Sequence, residues 1–327
     1  MTISPIDAEL LRNAMSSIVD EMFISLMKSS YSTNIKERKD HSTALFDKNG
    51  RVVVQGESMP LHLASMLGLV EIVLEKYGEK NINPGDVFLS NDPYVGRGSH
   101  LPDVAMAAPI FYEKKLLLFV CNIAHHADIG GMSPGSMAGG MTEIYQEGLR
   151  IPPIRLFKSG KLMEDVMDMI LLNVRVPEER RGDYNAQIAS NKLGIKRCLD
   201  LIKKWGAKNI DEGCDVIIKS VAKRTRKSVS NLPDGTYTFE DIVDDDGLSR
   251  KNIVLKVSIM VKKDQIIFDF TGTDPQVEGN NNVTMAGLQA CCLYCIKVLL
   301  DPDCPQNHGM LDPISIIAPE GTIVNAA

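Results

Sequence analysis

Two runs of strand-forming residues, Asp103–Tyr112 and Lys115–Ala124, are separated by only two residues, Glu113 and Lys114. So short a connection can join only antiparallel strands, and it therefore predicts a β-hairpin. This hairpin constrains the fold more than any other feature, because it fixes two long neighbouring strands and the direction of each.

Helical and strand patterns are segregated along the rest of the chain. A second hairpin is predicted around Asn49-Gly50, since Asn-Gly between β-branched or aromatic runs is the strongest short-range hairpin signal. Residues 162–229 are helical in pattern, whereas residues 236–271 return to strand patterns. This order predicts an α+β fold, with mixed, hairpin-rich sheets and a central helical segment. We expect three units: a β-rich domain with an N-terminal helix at 1–160, a helical segment at 161–231, and an α+β segment at 232–327.

Further elements are predicted from their boundaries and apolar spacing. Ser4 as the N-cap and Pro5 in the first turn begin a helix. Two more helices are expected over residues 61–79 and 285–300, and a strand over residues 87–90.

Composition excludes several classes of function. The 327 residues have a formal charge of −6, so there is no basic surplus to neutralise a nucleic acid. The longest apolar runs, such as residues 116–120, are far shorter than the roughly 20 residues that a membrane helix needs. The N-terminus has no secretory signal pattern, so the seven cysteines are expected to be reduced thiols in the cytoplasm.

Histidine and aspartate side chains lie at the open end of the predicted long hairpin. If its turn is centred between Glu113 and Lys114, Asp103 faces Ala124 and His125 faces Pro102. His100, Asp103 and His125 should then converge, although a slip by one residue would change the face that His125 uses. Two imidazoles and a carboxylate suit a divalent metal such as Zn, Mn or Fe.

Ordinary structural roles compete with these functional ones. A single histidine beside a turn is usually solvated or hydrogen-bonded, and His62, with its apolar neighbours, is typical of a satisfied core histidine. Asp40 is typical of a charged surface residue or turn cap. His126 and Asp128 either support the predicted site or are merely solvated.

Two other groups of residues have both a functional and an ordinary structural interpretation. The glycine-rich loop at 130–140 could cradle an anion, but it lacks the Lys-Ser/Thr of a phosphate-binding loop, so any ATP must bind elsewhere. Glu143 and Glu147, which follow this loop, form either a carboxylate pair or a solvent-facing charged surface. Cys291, Cys292 and Cys295 fit small core residues of a helix better than a metal site.

Several motifs occur together along the whole chain. They include Glu37-Arg38-Lys39-Asp40, Pro60-Leu61-His62-Leu63-Ala64-Ser65-Met66, Asn91-Asp92-Pro93-Tyr94, His100-Leu101-Pro102-Asp103, Ala124-His125-His126-Ala127-Asp128 and Glu147-Gly148-Leu149-Arg150. With these motifs the chain resembles the hydantoinase B / 5-oxoprolinase / acetone carboxylase family, specifically its B-type, N-methylhydantoinase B-like subunits.

The resemblance implies a two-part, ATP-dependent enzyme. In this family an A-type subunit with an actin-like ATPase fold phosphorylates a carbonyl oxygen, and the B-type part holds a metal. The implied ligands are His100, Asp103 and His125, with Asp40 as a possible fourth. B-type subunits are longer than this chain, so a separate C-terminal B-type fragment is a further possible partner.

The expected function is therefore that of the metal-bearing subunit of an ATP-dependent cyclic-amide hydrolase. Its substrate would be a hydantoin, 5-oxoproline or another lactam, and His126 or Asp128 would transfer protons, on proximity alone. One alternative is a subunit of an ATP-dependent ketone carboxylase acting on acetone or acetophenone. Another is a non-catalytic scaffold remnant. A metal content well below one per chain would favour this alternative.

Overall fold

The structure is a computed structural model that describes residues 3–56, 58–59, 62 and 66–327. Its helices are α1 (Pro5–Ser29), α2 (Thr33–Lys36), α3 (Leu67–Tyr77), α4 (Ile144–Glu147), α5 (Glu164–Leu172), α6 (Pro177–Trp205), α7 (Ala207–Val229) and α8 (Met285–Leu300). Its strands are β1 (His41–Asp47), β2 (Val52–Gln55), β3 (Val87–Ser90), β4 (Asp103–Tyr112), β5 (Lys115–His125), β6 (Ile154–Lys158), β7 (Lys161–Leu162), β8 (Gly235–Asp245), β9 (Lys251–Lys262), β10 (Gln265–Asp269) and β11 (Ile314–Ile317). Single 3₁₀ turns cover Glu79–Asn81 and His308–Leu311.

The strands form two sheets. The first sheet has seven strands in the order β2-β1-β5-β4-β3-β6-β7, and the second has four in the order β11-β10-β9-β8. Every pair in the first sheet is antiparallel, whereas β10 and β11 of the second sheet pair in parallel. The predicted α+β class with mixed sheets is confirmed.

Most predicted boundaries agree with the structure. Helix α1 begins after Ser4, whose hydroxyl accepts a hydrogen bond from the Asp7 N–H at 3.1 Å. The Asn49-Gly50 hairpin forms as β1–β2, and Gly50 takes the positive φ of 86° that favours glycine. Within the helix predicted over 61–79, α3 begins at Leu67, and residues 61 and 63–65 lie outside the described part of the chain.

Helices cover both faces of the first sheet. On one face, α1 and α6 bury an apolar cluster that includes Met22, Val120 and Ile188. On the other face, α3 packs onto Phe46 and Phe119. The central helical segment thus shares a hydrophobic core with the first sheet. Among the described residues, no helix is both long and apolar enough to cross a membrane.

The long hairpin β4–β5 forms as predicted, but its register differs by one residue. Glu113 and Lys114 both have positive φ, as a two-residue hairpin turn of the primed type requires. Beyond the turn, Phe111 pairs with Leu116 but Ile110 pairs with Leu118, so β5 contains one extra residue. This irregularity is a β-bulge, which shifts all later pairs of the hairpin.

The shift changes the pairing at the open end. Asp103 pairs with His125, and Val104 pairs with Ala124. The predicted pairings of Asp103 with Ala124 and of His125 with Pro102 were therefore wrong. Because directly paired residues share a face of the sheet, the bulge places Asp103 and His125 on the same face.

Candidate metal centre

Three side chains converge where β4 begins and β5 ends. Asp103 is the first residue of β4, and His125 is the last of β5. His100 lies in the preceding turn, which is closed by a hydrogen bond from the Asp103 N–H to the His100 carbonyl at 3.1 Å. We call His100, Asp103 and His125 the HDH cluster.

The nitrogen atoms of both histidines point at one carboxylate oxygen. His100 Nε2 lies 3.0 Å from Asp103 Oδ1, and His125 Nδ1 lies 3.2 Å from the same atom. The two imidazole rings are 5.0 Å apart between centroids. The other carboxylate oxygen, Asp103 Oδ2, accepts a short hydrogen bond from Ser99 Oγ, which leaves Oδ1 directed at the histidines.

The electrostatics of the HDH cluster favour an ionised carboxylate. Burial opposes ionisation of Asp103, but the charge of His100 and hydrogen bonds from the surrounding histidines hold the pKa of this carboxyl well below its ordinary value. Burial alone would lower the pKa of His100, yet the Asp103 carboxylate outweighs it and raises that pKa. The chain thus keeps a buried negative charge between two imidazoles.

Asp40 and His62 border the HDH cluster. The Asp40 carbonyl accepts a hydrogen bond from the His125 N–H at 3.0 Å, and its carboxylate Oδ2 lies 3.8 Å from His125 Nδ1. His62 Nε2 lies 3.8 Å from both the Asp40 and the Asp103 carboxylates. His62 is buried and held by a hydrogen bond of 2.8 Å between its Nδ1 and Ser42 Oγ.

The apolar neighbours of His62 predict a core histidine and do not place it near the site. Its burial agrees with that interpretation, but it also faces two carboxylates of the site. Its position in the Pro60–Met66 motif was the only signal in the sequence that could have suggested this.

The donor set of the HDH cluster fits a divalent transition metal or zinc. One ligand atom from each of the three residues lies within 4.8 Å of the others. Tetrahedral zinc with bonds of about 2.1 Å requires neighbouring ligand atoms roughly 3.4 Å apart, close to the two histidine–aspartate distances above. Two imidazoles and one carboxylate also suit Mn or Fe.

Comparison with known proteins decides the family. The family model described as hydantoinase B/oxoprolinase matches residues 4–327. The chain belongs to this hydantoinase B/oxoprolinase family. It is 38% identical to the uncharacterised protein MJ0963 of Methanocaldococcus jannaschii, over 98% of this chain and 56% of that protein. It is 36% identical to 5-oxoprolinase 1 of Arabidopsis thaliana, over 94% of this chain and 26% of that protein.

Solved structures show the same fold. The ATP-dependent caprolactamase from Pseudomonas jessenii superposes with a TM-score of 0.91 at 30% identity, over all of this chain and 56% of that one. The nucleotide-free acetone carboxylase superposes with a TM-score of 0.87 at 19% identity, over 99% of this chain and 44% of that one, which shows likeness of fold alone. The chain thus spans about half the length, or less, of these relatives.

His126 and the HDH cluster lie on opposite faces of the first sheet. Its Nε2 is 2.9 Å from Gln187 Oε1, and its ring lies 4.3 Å from that of Tyr184, both on α6. Burial lowers the pKa of His126 to about 4. The structure thus does not bring His126 to the cluster, and its proton-transfer role stays a prediction.

Asp128 organises the glycine-rich loop. Its carboxylate accepts hydrogen bonds from the N–H groups of Gly130, Gly135 and Arg175, and it forms an ion pair of 3.0 Å with the Arg175 guanidinium. Burial opposes ionisation, but these donors lower the pKa of Asp128. These contacts support a structural role for Asp128, and its proton-transfer role also stays a prediction.

Proposed function

We propose that this chain is the metal-bearing part of an ATP-dependent cyclic-amide hydrolase. The observation that carries the proposal is the convergence of His100, Asp103 and His125 in a member of the hydantoinase B/oxoprolinase family. The substrate would be a hydantoin, 5-oxoproline or another lactam. The 30% identity with an enzyme named as an ATP-dependent caprolactamase favours this class of reaction.

His100 Nε2, His125 Nδ1 and Asp103 Oδ1 would hold the metal, with the Asp40 carboxylate as a fourth ligand. A divalent metal held there would polarise a carbonyl and lower the pKa of a bound water. Ser99 orients the Asp103 carboxylate through its hydrogen bond, and Ser42 holds His62 beside the carboxylates of Asp40 and Asp103. Hydrogen bonds from these two serines thus orient the ligands and the histidine beside them.

ATP would be bound by an A-type partner subunit, because this chain lacks a phosphate-binding loop motif. That partner would phosphorylate the carbonyl oxygen of the substrate before the reaction at the metal. The separate C-terminal B-type fragment that the family resemblance implies stays a prediction. The seven cysteines are free, in keeping with a cytoplasmic location.

The test begins with elemental analysis of the purified chain, beside His125→Ala and a His308→Ala control outside the HDH cluster. We expect about one Zn, Mn or Fe per chain in the wild type and the control, and none in His125→Ala. No metal in any sample, even with the partner subunit present, would leave the non-catalytic scaffold as the better account.

The second step supplies the A-type subunit, ATP and a cyclic amide. ATP-dependent ring opening that is lost in His125→Ala would support the hydrolase. ATP turnover that needs bicarbonate and acetone or acetophenone would replace it with the ketone carboxylase, whose fold this chain shares.

A further inference from the structure

Glu147 is a half-buried carboxylate at the end of α4. Across the part of the chain that the structure describes, its side chain forms no hydrogen bond and no ion pair. Glu143, the N-cap of the same helix, is exposed, and its N–H donates a hydrogen bond to Gln146 Oε1 at 3.1 Å. A carboxylate withdrawn from water without a partner is unusual, and such groups concentrate at functional sites.

A buried amide joins the segment of Glu147 to the segment of His100. Asn91 Nδ2 donates to the Leu101 carbonyl at 2.7 Å and to the Leu149 carbonyl at 2.9 Å. Leu101 follows His100 directly, and Leu149 lies two residues after Glu147. Because one nitrogen binds both carbonyls, the two segments run side by side at the HDH cluster.

Close backbone packing holds this arrangement in place. The Leu149 N–H donates to the Ile129 carbonyl at 2.9 Å. A Cβ on Gly148 would lie 2.5 Å from Ile129 Cγ2, and a Cβ on Gly131 would lie 2.6 Å from the Glu147 carbonyl carbon. Only glycine permits these approaches, so the position of Glu147 is built into the backbone.

Two titratable groups interact electrostatically with Glu147, namely His100 and Tyr94. Burial raises the pKa of Glu147, and the charge of His100 opposes this shift. Burial, and then the charge of Glu147, raises the pKa of Tyr94. Arg150 is paired with Asp92 at 2.8 Å, and its guanidinium lies 5.7 Å from the Tyr94 ring and 5.5 Å from the exposed Tyr145 ring. Glu147 therefore lies within electrostatic range of His100, a member of the HDH cluster.

We propose that Glu147 is a catalytic residue that carries a proton during ring opening. This inference rests on the proposed function. As the oxygen of water bonds to the activated carbonyl carbon, the water proton passes to the Glu147 carboxylate. The carbon–nitrogen bond then breaks with its electron pair going to nitrogen, while the added hydroxyl becomes a carbonyl. Glu147 returns its proton to that nitrogen, and the hydroxyl proton passes to the released amine. The phosphoryl group stays on its oxygen, so this step yields an acyl phosphate and an ammonium group.

The kinetic test uses the full chain with its A-type partner, and compares Glu147→Gln and Glu147→Asp with the matched control Glu143→Gln. General acid–base catalysis contributes about 100- to 10,000-fold, so Glu147→Gln should lower kcat at least about 100-fold. Metal content should not change, and Glu147→Asp should recover part of the rate. The fall in kcat at low pH, where the wild-type carboxylate is protonated, should disappear in Glu147→Gln.

Other kinetic results would overturn the proposal. One is a loss of only a few fold in Glu147→Gln, and another is an equal loss in Glu143→Gln. A loss that follows a fall in metal content would make Glu147 a structural support of the cluster.

A second readout does not depend on activity. Carbodiimide and an amine nucleophile label protonated carboxyl groups, and mass spectrometry locates the label. Labelling of Glu147 should persist to higher pH than labelling of Glu143. If the wild type opens no cyclic amide but Glu147 labels in this way, the proposed function fails while the acid–base character of Glu147 is supported. If the two glutamates label alike, the inference about Glu147 is overturned whatever the activity.

Discussion

The two sheets differ in how much of their surface the rest of the chain covers. Strand β1 of the first sheet is buried along its whole length, with helices on both faces. Outer strand β8 of the second sheet is exposed at nearly every position, including Tyr237, Phe239 and Ile242. Helix α8 covers only one face of the second sheet. Burial on both faces gives the first sheet a rigid frame, and the HDH cluster lies on it.

The exposed edge of the second sheet carries its own protection. Glu240, Asp241, Asp244 and Asp245 place negative charges along β8. Charged residues on an edge strand discourage pairing with a second copy. The first sheet is therefore buried on both faces, whereas the outer strand of the second sheet is exposed to solvent.

The largest expected effect comes from the same substitution made in each sheet. Phe119→Ala removes a fully buried ring between the first sheet and α3, and should lower the free energy of unfolding by about 3–5 kcal/mol. Phe239, 67% exposed on β8, should cost less than about 1 kcal/mol when changed to Ala. Urea denaturation measures both. Equal losses would break the comparison.

The next effect is a dependence of stability on pH that arises in the first sheet. Burial lowers the pKa of His126 to about 4, while the unfolded chain titrates near its ordinary value. Between those values the unfolded state binds more protons, so stability is full above about pH 6.5 and falls as the pH drops to about 4. This histidine should contribute about 3 kcal/mol of that fall. Burial likewise lowers the pKa of His41 to about 4, with the same sign.

Denaturation at a series of pH values, with a chelator present, measures this dependence. The slope between about pH 4 and 6.5 should be smaller in His126→Gln than in the wild type. Identical slopes would show that His126 does not titrate differently in the folded and unfolded states.

A slightly smaller effect is expected from adding a metal to the chain. At about 100 times its dissociation constant, Zn²⁺ should raise the free energy of unfolding by about 2.7 kcal/mol. His125→Ala should abolish this gain and His308→Ala should keep it. Hydrogen exchange should show added protection in β4 and β5 but not in β8, and equal protection in both sheets would contradict the placement of the site.

The smallest effect concerns an exposed ion pair of the second sheet. Glu240 and Lys256 are separated by 3.7 Å, and each side chain is about half exposed. Glu240→Gln should change the free energy of unfolding by less than about 1 kcal/mol, and salt should remove the difference. A salt-resistant loss of several kcal/mol would mean that β8 is more buried in solution than in this structure.

Elements bounded by clear signals could be predicted from the sequence. Strand β3 follows Pro84-Gly85-Asp86, and its predicted bounds, like those of α8, agree with the structure. The register of β4–β5 could not be predicted, because residues 116–120 are uniformly apolar. A strand buried on both faces has no polar alternation that would reveal an extra residue.

Residues of the candidate site could be predicted from the sequence only where they are close along the chain or across the hairpin. The proximity of His100, Asp103 and His125 followed from the hairpin, although the predicted register was wrong. His62 reaches the site through tertiary packing against Ser42, and the sequence gives no sign of that contact. Its distance from Asp40 and Asp103 depends on how whole elements pack.

The bulge in β5 has a consequence for how this protein can change. Leu117, the residue without a partner on β4, lies eight positions before His125. Between the turn and the cluster, β5 has one residue more than β4, so Asp103 and His125 pair only because the bulge takes up that residue. Losing Leu117 would replace the bulge by regular pairing and keep Asp103 opposite His125, whereas one further inserted residue would move His125 to the other face of the sheet. The hairpin can therefore lose its unpaired position and keep the ligands together, but it cannot gain a position without separating them.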